Sequence, residues 1–328
     1  MKLKGIISFY IFYTFLGLRA IFANFSLVSE SALRCWFYLE IRIVVFIGIL
    51  LSRKLNSRKP IIIYFSVQVI PSIIFLTLLV LGYLQFKCFS VITLLILIKI
   101  GVAPFHSWYM SMSLQLPNFN LIWLLTIQKV IPLQIISMIF CKKTLYYMII
   151  ISIMLATRYL LVQVRFKKIL IASSILSNNW VLSAMLAENT LLWQKYFISY
   201  RGFLVLLFVT LGRGVIEKVP SSNQAIFYIR TWVMILFFFR GFPPSPIFFF
   251  KVYIVQSLVD QSLVFLRVSL IISSSIALFS RSNLVLTHQL GSSHQIFYQL
   301  DWGRVVLSSI RVTAVRGLII FTQFFYIR

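Results

Sequence analysis

Apolar runs about 20 residues long, separated by short basic or polar segments, recur along almost the whole chain. A helix of that length crosses the hydrocarbon core of a bilayer, where only helices and closed barrels satisfy their own backbone hydrogen bonds. With 60% hydrophobic and 11% charged residues, the 328-residue chain cannot hide its apolar side chains in a water-soluble core. The sequence therefore predicts an all-α polytopic membrane protein of about eleven transmembrane helices.

The spans are placed between the charged clusters that end each apolar run. We predict them at residues 5–24, 32–52, 60–86, 88–112, 118–140, 144–163, 168–187, 190–212, 225–260, 262–280 and 304–326. The ninth run contains Arg240 to Pro246, and the fourth contains Gly101 to Phe105 directly after Lys99. Because proline lacks an amide donor and clashes with the preceding turn, both spans are predicted to be discontinuous helices.

These two interruptions divide the chain into repeats. Residues 1–143 and 144–281 form two five-helix units with Lys99 opposite Lys251, and residues 282–328 add a loop and a last helix. An odd number of crossings inverts the second unit relative to the first, which is a common plan of ion-translocating proteins. We therefore predict two inverted five-helix repeats.

The net charge of +25 would suggest a nucleic-acid partner in a soluble protein. Here the basic residues lie between apolar runs, where they set topology and meet anionic headgroups. We therefore exclude nucleic acid as a partner and expect membrane lipids, cardiolipin among them. Loops on the side of the N-terminus hold more than twice as many Lys and Arg residues as the opposite loops, which predicts an N-terminus on the inner, positive side.

Four ionisable residues inside the spans are the candidates for chemistry: Glu40, Lys99, Lys129 and Lys251. Burial disfavours the charged form of a lysine, which can then exchange a proton instead of remaining a fixed charge. Glu40 beside Lys99 would act as a switch, since the lysine holds its proton when paired and releases it when separated. The alternative is that these lysines lie near helix ends and snorkel to the headgroups.

Other polar residues are given structural roles. We expect most arginines in or near the spans, including Arg42, Arg158 and Arg201, to snorkel to the membrane surface. His106 is expected to form a polar wall of a cavity at the fourth-span break. Three isolated cysteines, Cys35, Cys88 and Cys141, indicate neither a disulfide framework nor a metal site.

The stretch Lys99 to Trp108, with the sequence KIGVAPFHSW, resembles the signature of the antiporter-like subunits of respiratory complex I, in particular the mitochondrial subunit 2 family. Further segments are similar to that family in the same order, and the similarity extends over residues 32–260. These segments are Trp36 to Glu40, Thr126 to Lys129, Lys168 to Leu170, Ser173 to Ile175 with Trp180, and Gly241 to Pro244 with Lys251.

The resemblance implies a membrane-arm subunit of the proton-translocating NADH:ubiquinone oxidoreductase of the mitochondrial inner membrane. In that membrane, the charge bias of the loops predicts that the N-terminus lies in the matrix. Glu40, Lys99, Lys129 and Lys251 would form the charged axis of a proton channel. This chain would carry no redox chemistry and no cofactor or metal, because flavin, iron–sulfur clusters and ubiquinone would bind elsewhere in the complex. Its partners would be other membrane-arm subunits and accessory subunits.

Two alternatives to this function remain open. The chain could be a subunit of a cation/proton antiporter with the same fold, or a degenerate subunit that only fills the membrane arm. Four retained intramembrane charges argue against the degenerate subunit, since such charges are costly. The chain also departs from the family at Ser177-Asn178-Asn179-Trp180, where a histidine usually precedes the tryptophan and where serine or asparagine could hold water instead.

Overall fold

The computed structural model describes residues 32–52, 59–80, 86–163, 166–188, 190–211 and 245–291. Every regular element within these ranges is helical, which confirms the predicted all-α class. The helices are α1 (Ala32–Ser52), α2 (Lys59–Val80), α3 (Phe86–Ile100), α4 (Ser107–Gln115), α5 (Asn118–Leu125), a 3-10 turn (Ile127–Lys129), α6 (Val130–Met138), α7 (Lys142–Val162), α8 (Phe166–Leu186), α9 (Thr190–Leu211), α10 (Pro246–Asp260) and α11 (Val264–Gly291).

Within the described ranges, four helical segments are long and apolar enough to cross a membrane: Lys59–Val80, Phe119–Met138, Lys142–Val162 and Lys167–Leu186. They correspond to the third, fifth, sixth and seventh predicted spans. The first and eleventh spans, and residues 240–244 of the break predicted from Arg240 to Pro246, lie outside the described residues. The total of about eleven helices and the inverted repeats remain predictions.

Helix α8 lies at the centre of the bundle. It packs against α4, α7, α9, α10 and α11, and every residue from Ile169 to Leu186 is buried. Several of these buried residues are polar: Ser173, Ser174, Ser177, Asn178, Asn179 and Ser183. Because buried polar groups are costly without partners, a serine- and asparagine-rich helix at the centre gives the interior a polar line that other side chains can use.

The predicted interruption of the fourth span is confirmed. Helix α3 ends at Ile100, turns follow, and α4 begins at Ser107. Side chains donate to the last carbonyl groups of α3: Ile98 O accepts from Trp108 Nε1 at 3.1 Å in addition to the amide of Gly101, and Lys99 O accepts from Gln68 Nε2 at 3.0 Å. Such side-chain donors allow a helix to end inside the membrane.

A second break, which the sequence analysis did not predict, lies in the fifth span. Helix α5 ends at Leu125, Thr126 has φ −109° and ψ −81°, and a 3-10 turn that ends at Lys129 precedes α6. Pro132 explains its position, because proline provides no amide hydrogen for the carbonyl group of Gln128 four residues earlier. Lys129 therefore lies at a helix interruption and not in a regular helix.

Replacing Gly101 with alanine should destabilise the chain. Gly101 has φ +75°, and a Cβ atom there would lie 2.8 Å from Tyr109 Cβ. Strained backbone costs about 1–3 kcal/mol, and overpacking costs about as much again. The thermal midpoint of the purified assembly should fall. Gly202→Ala is the matched control, since no atom lies within 4 Å of its added Cβ and alanine favours a helix; equal midpoints for the two variants would contradict the prediction.

Candidate functional site

Glu40 and Lys99 meet across two helices. Helices α1 and α3 both pack on α2 and α6, and this arrangement brings Lys99 Nζ to 3.9 Å from Glu40 Oε1. The Lys99 side chain is 2% exposed and the Glu40 side chain is 26% exposed. The contact expected from the sequence is therefore present as an ion pair without a hydrogen bond, with the lysine enclosed and the Glu40 side chain partly exposed.

Arg42 holds the break in the fifth span. It is 4% exposed, its Nη1 donates to Ile127 O at 2.8 Å, and its Nη2 donates to Gln128 O. The carbonyl group of Gln128 is the one that Pro132 leaves without a helical donor. The expectation that Arg42 snorkels to the membrane surface is wrong, because the interior offers its guanidinium two backbone carbonyl groups, of which that of Gln128 has no donor from residue 132. Helix α1 therefore places Glu40 beside Lys99 and Arg42 on the turn that carries Lys129.

Lys129 is enclosed by polar groups of α8 and by an aromatic ring. Its side chain is 2% exposed, and Nζ lies 3.4 Å from Asn178 Oδ1, 3.5 Å from Ser174 Oγ and 4.3 Å from the centre of the Tyr109 ring. In the part of the chain that the structure describes, no carboxylate lies at ion-pair distance from Lys129. Its partners are therefore neutral, unlike the partner of Lys99.

Arg201 approaches the same asparagine from α9. It is 5% exposed, and its Nη2 donates to Asn178 Oδ1 at 2.8 Å. Its guanidinium also lies 4.9 Å from the Phe197 ring centre and 5.2 Å from that of Tyr200. The expectation of snorkelling is wrong for this arginine too. One carbonyl oxygen thus accepts hydrogen bonds from two cationic side chains.

Lys251 lines a small cavity whose walls are partly polar and partly apolar. Helix α10 begins beside Ser245, whose side chain caps it by accepting from the Phe248 amide, and Lys251 Nζ lies 5.4 Å from the Trp180 ring centre. The cavity has a volume of about 20 Å³, which is enough for a water molecule. Its lining includes serines of α8 and α11 and tyrosines of α9: Ser173, Ser177, Ser273, Ser274, Tyr196 and Tyr200.

Two adjacent rows of polar side chains on α8 therefore face the two lysines. Ser174 and Asn178 are four residues apart and face Lys129, while Ser173 and Ser177 are four residues apart and face the cavity of Lys251. This spacing places one row beside the other along the same buried helix. The serine hydroxyl groups of both rows can pass a proton, since a hydroxyl oxygen both donates and accepts hydrogen bonds, while the amide of Asn178 can hold its neighbours in place.

Lys129 and Lys251 were predicted from the sequence, but the residues around them were not. Pro132 was the sequence signal for the second break. The departure from the family pattern at Asn178 was the signal that Lys129 has a different hydrogen-bond partner. His106, expected in a cavity wall, is half-exposed in the turn before α4, with Nδ1 3.2 Å from Pro104 O and its ring 6.0 Å from that of Tyr159.

Comparisons with known proteins show which family this chain resembles. The family described as NADH:quinone oxidoreductase/Mrp antiporter, transmembrane region, matches residues 66–277, which include Lys99, Lys129, Arg201 and Lys251. The chain is 32% identical over 266 residues to NADH-ubiquinone oxidoreductase chain 2 of Rhipicephalus sanguineus, which covers 77% of this chain and 82% of the relative. It is 28% identical over 272 residues to the same protein of Locusta migratoria, with coverages of 77% and 78%.

Two solved structures have a similar fold. A chain of respiratory complex I from Thermus thermophilus with bound aureothin has a TM-score of 0.74 and 16% identity, and the match covers 84% of this chain and 70% of that one. A chain of the Mrp complex from a Dietzia species has a TM-score of 0.69 and 13% identity, with coverages of 81% and 58%. At these identities the two likenesses describe the fold.

Proposed function

This chain belongs to the NADH:quinone oxidoreductase/Mrp antiporter family and, within it, to the NADH-ubiquinone oxidoreductase chain 2 proteins, and from that membership we propose that it translocates protons in the membrane arm of mitochondrial NADH:ubiquinone oxidoreductase. Glu40, Lys99, Lys129 and Lys251 carry the protons in this proposal. Quinone reduction, flavin and iron–sulfur chemistry belong to other subunits of the complex. The neighbouring membrane-arm subunits, accessory subunits and lipids, with cardiolipin at the basic loops, are its partners.

The contact between Glu40 and Lys99 is the observation that carries the proposal. An enclosed ammonium is stable only while a carboxylate faces it, because an unpaired charge in a low-dielectric interior is expensive. Glu40 is partly exposed, so a charge change in a neighbouring subunit can draw it away. Lys99 then loses its counter-charge and releases its proton. This step is a proton transfer driven by electrostatics: the N–H bond of Lys99 breaks as the next acceptor on the route binds the proton, and no covalent intermediate forms.

Beyond Lys99, the route continues through the turn and along α8. Arg42 joins α1 to the turn of Lys129, so a displacement of Glu40 on the same helix also reaches the second lysine. From Lys129, the Ser174 and Asn178 row leads to the adjacent cavity, where Lys251 and water take up the proton. The break in each of the two spans supports this route, since irregular backbone inside a membrane is tolerated where it lines a polar interior.

The proposal is tested by reconstituting the purified complex into vesicles and measuring internal acidification while it oxidises NADH and reduces a soluble quinone. We expect acidification that is independent of sodium and that collapses with a protonophore. Sodium-driven proton exchange without NADH oxidation would favour the cation/proton antiporter, for which the Mrp-like fold is the supporting observation. Purification of the chain without a quinone-reducing module would contradict the proposal.

The proposed orientation, with the N-terminus in the matrix, makes a prediction for Cys141. This thiol is half-exposed between α6 and α7 and would face the intermembrane space. The backbone amide of Thr144 donates to it and lowers the pKa of the Cys141 thiol, so the reactive thiolate persists at lower pH than in a free cysteine.

In a C88S variant, a membrane-impermeant maleimide should therefore label Cys141 in mitoplasts, and its rate should fall less between pH 8 and pH 6.5 than that of a free cysteine. Cys35 is buried and should stay unlabelled, and a C88S/C141S variant gives the background. Labelling that occurs in inside-out vesicles alone would reverse the proposed orientation.

A further inference from the structure

We propose that Arg201 is a positioning residue for proton release: a permanent positive charge that holds the oxygen of Asn178 and prevents Lys129 from retaining a proton. This inference rests on the proposed function, because it concerns one lysine on the suggested route. The observation that carries it is the shared acceptor. Asn178 Oδ1 lies 2.8 Å from Arg201 Nη2 and 3.4 Å from Lys129 Nζ.

The two cations do not compete equally for this oxygen. The bond from Arg201 is the shorter one, and a guanidinium stays protonated at every pH relevant to a protein. The Nε and Nη1 atoms of Arg201 are buried without a hydrogen-bond partner, so Asn178 is a main polar anchor for this side chain. Arg201 therefore keeps Asn178, and a protonated Lys129 must share an acceptor that is already occupied.

The charged and titratable groups around Lys129 reinforce this effect. Helix α4 contributes the ring of Tyr109, α9 contributes Arg201, and α1 contributes Arg42, which holds the carbonyl groups of the turn. Helix α3, which packs on α6, contributes Lys99, whose charge is already offset by Glu40. Helix α8 offers only neutral groups here. No described carboxylate therefore offsets the charge of a protonated Lys129 beside Arg201.

This arrangement gives Lys129 a role different from that of Lys99. Lys99 holds its proton as long as Glu40 faces it, whereas Lys129 has a like charge across one oxygen and is unstable in its ammonium form. A proton that arrives at Lys129 is passed on to an acceptor along α8, the amine becomes neutral, and the proton moves toward the cavity of Lys251. Lys129 is then a relay that empties quickly and not a storage site.

The test is the pH profile of protons translocated per NADH oxidised in vesicles that contain the whole complex. Removing the fixed charge with Arg201→Met should let Lys129 retain its proton. The acid limb of the profile should then move to higher pH by about one unit. Translocation should be reduced at pH 7 and restored at pH 8.5. Asn178→Asp should move the acid limb in the same direction, because it places a carboxylate beside Lys129. Arg201→Lys keeps a positive charge at this position, so its acid limb should lie near that of the unaltered chain.

Arg158→Met on α7 is the matched control, since Arg158 is exposed, and it should leave the profile unchanged. A loss that is equal at all pH values in Arg201→Met would mean a structural role and would overturn the inference, as would an unchanged profile. If Arg201→Met does not assemble, Asn178→Asp and Arg201→Lys decide by the same criterion. Lys129→Met separates the two proposals. Normal translocation in that variant would remove Lys129 from the proposed route. If Lys129→Met abolishes translocation but Arg201→Met leaves the pH profile unshifted, the inference about Arg201 alone is rejected.

Discussion

Replacing Lys99 with methionine should lower proton translocation at least about tenfold while the complex stays assembled, because methionine keeps the length of the side chain but cannot carry a proton. The protons translocated per NADH oxidised are measured in reconstituted vesicles, beside the rate of quinone reduction. Lys195→Met on α9 is the matched control, since Lys195 is exposed in the structure, and it should retain normal translocation.

The pairing of Lys99 with Glu40 can be tested in the same preparation. Glu40→Gln leaves Lys99 enclosed without a counter-charge and should destabilise the complex, whereas Glu40→Gln combined with Lys99→Met removes both charges and should recover part of that stability. Strictly additive effects on the thermal midpoint would mean that the two residues do not interact. Normal proton translocation in the Lys99→Met variant would remove Lys99 from the proposed route.

Replacing Arg42 with methionine should destabilise the chain, because the buried carbonyl group of Gln128 loses its side-chain donor and that of Ile127 keeps only the backbone amide of Val130. Each buried unpaired carbonyl costs about 1–3 kcal/mol. Since the same turn ends at Lys129, we also expect proton translocation to fall in whatever complex assembles. The measurements are the thermal midpoint of the purified complex and the protons translocated per NADH oxidised.

Arg34→Met is the control for this prediction, because Arg34 lies on the same helix and is exposed. Arg42→Lys should have an intermediate effect, since an ammonium can reach one carbonyl group but lacks the fork that spans both. A midpoint for Arg42→Met equal to that of Arg34→Met would show that the break at Thr126 to Lys129 holds without the guanidinium.

The candidate site shows how far the residue types alone were informative. Glu40 and Lys99 were predicted to approach each other because each would be an expensive lone charge in a span, and the structure brings them to 3.9 Å. The expectation that arginines snorkel to the membrane surface was wrong for Arg42 and Arg201. Their side chains are long enough to reach either the headgroups or an interior acceptor, and the sequence does not specify which of the two faces them.

Sequence alone determined the features that the bilayer itself imposes: helices about 20 residues long, the break after Lys99, and a few costly charges inside the spans. Tertiary structure decided which way each helix faces. A soluble helix reveals its buried side by an apolar stripe, but a helix in lipid is apolar toward both lipid and protein, so its sequence gives little indication of orientation. Arg42 reaches the turn before Lys129, and Arg201 reaches Asn178, because packing against α6 and α8 turns their helices inward.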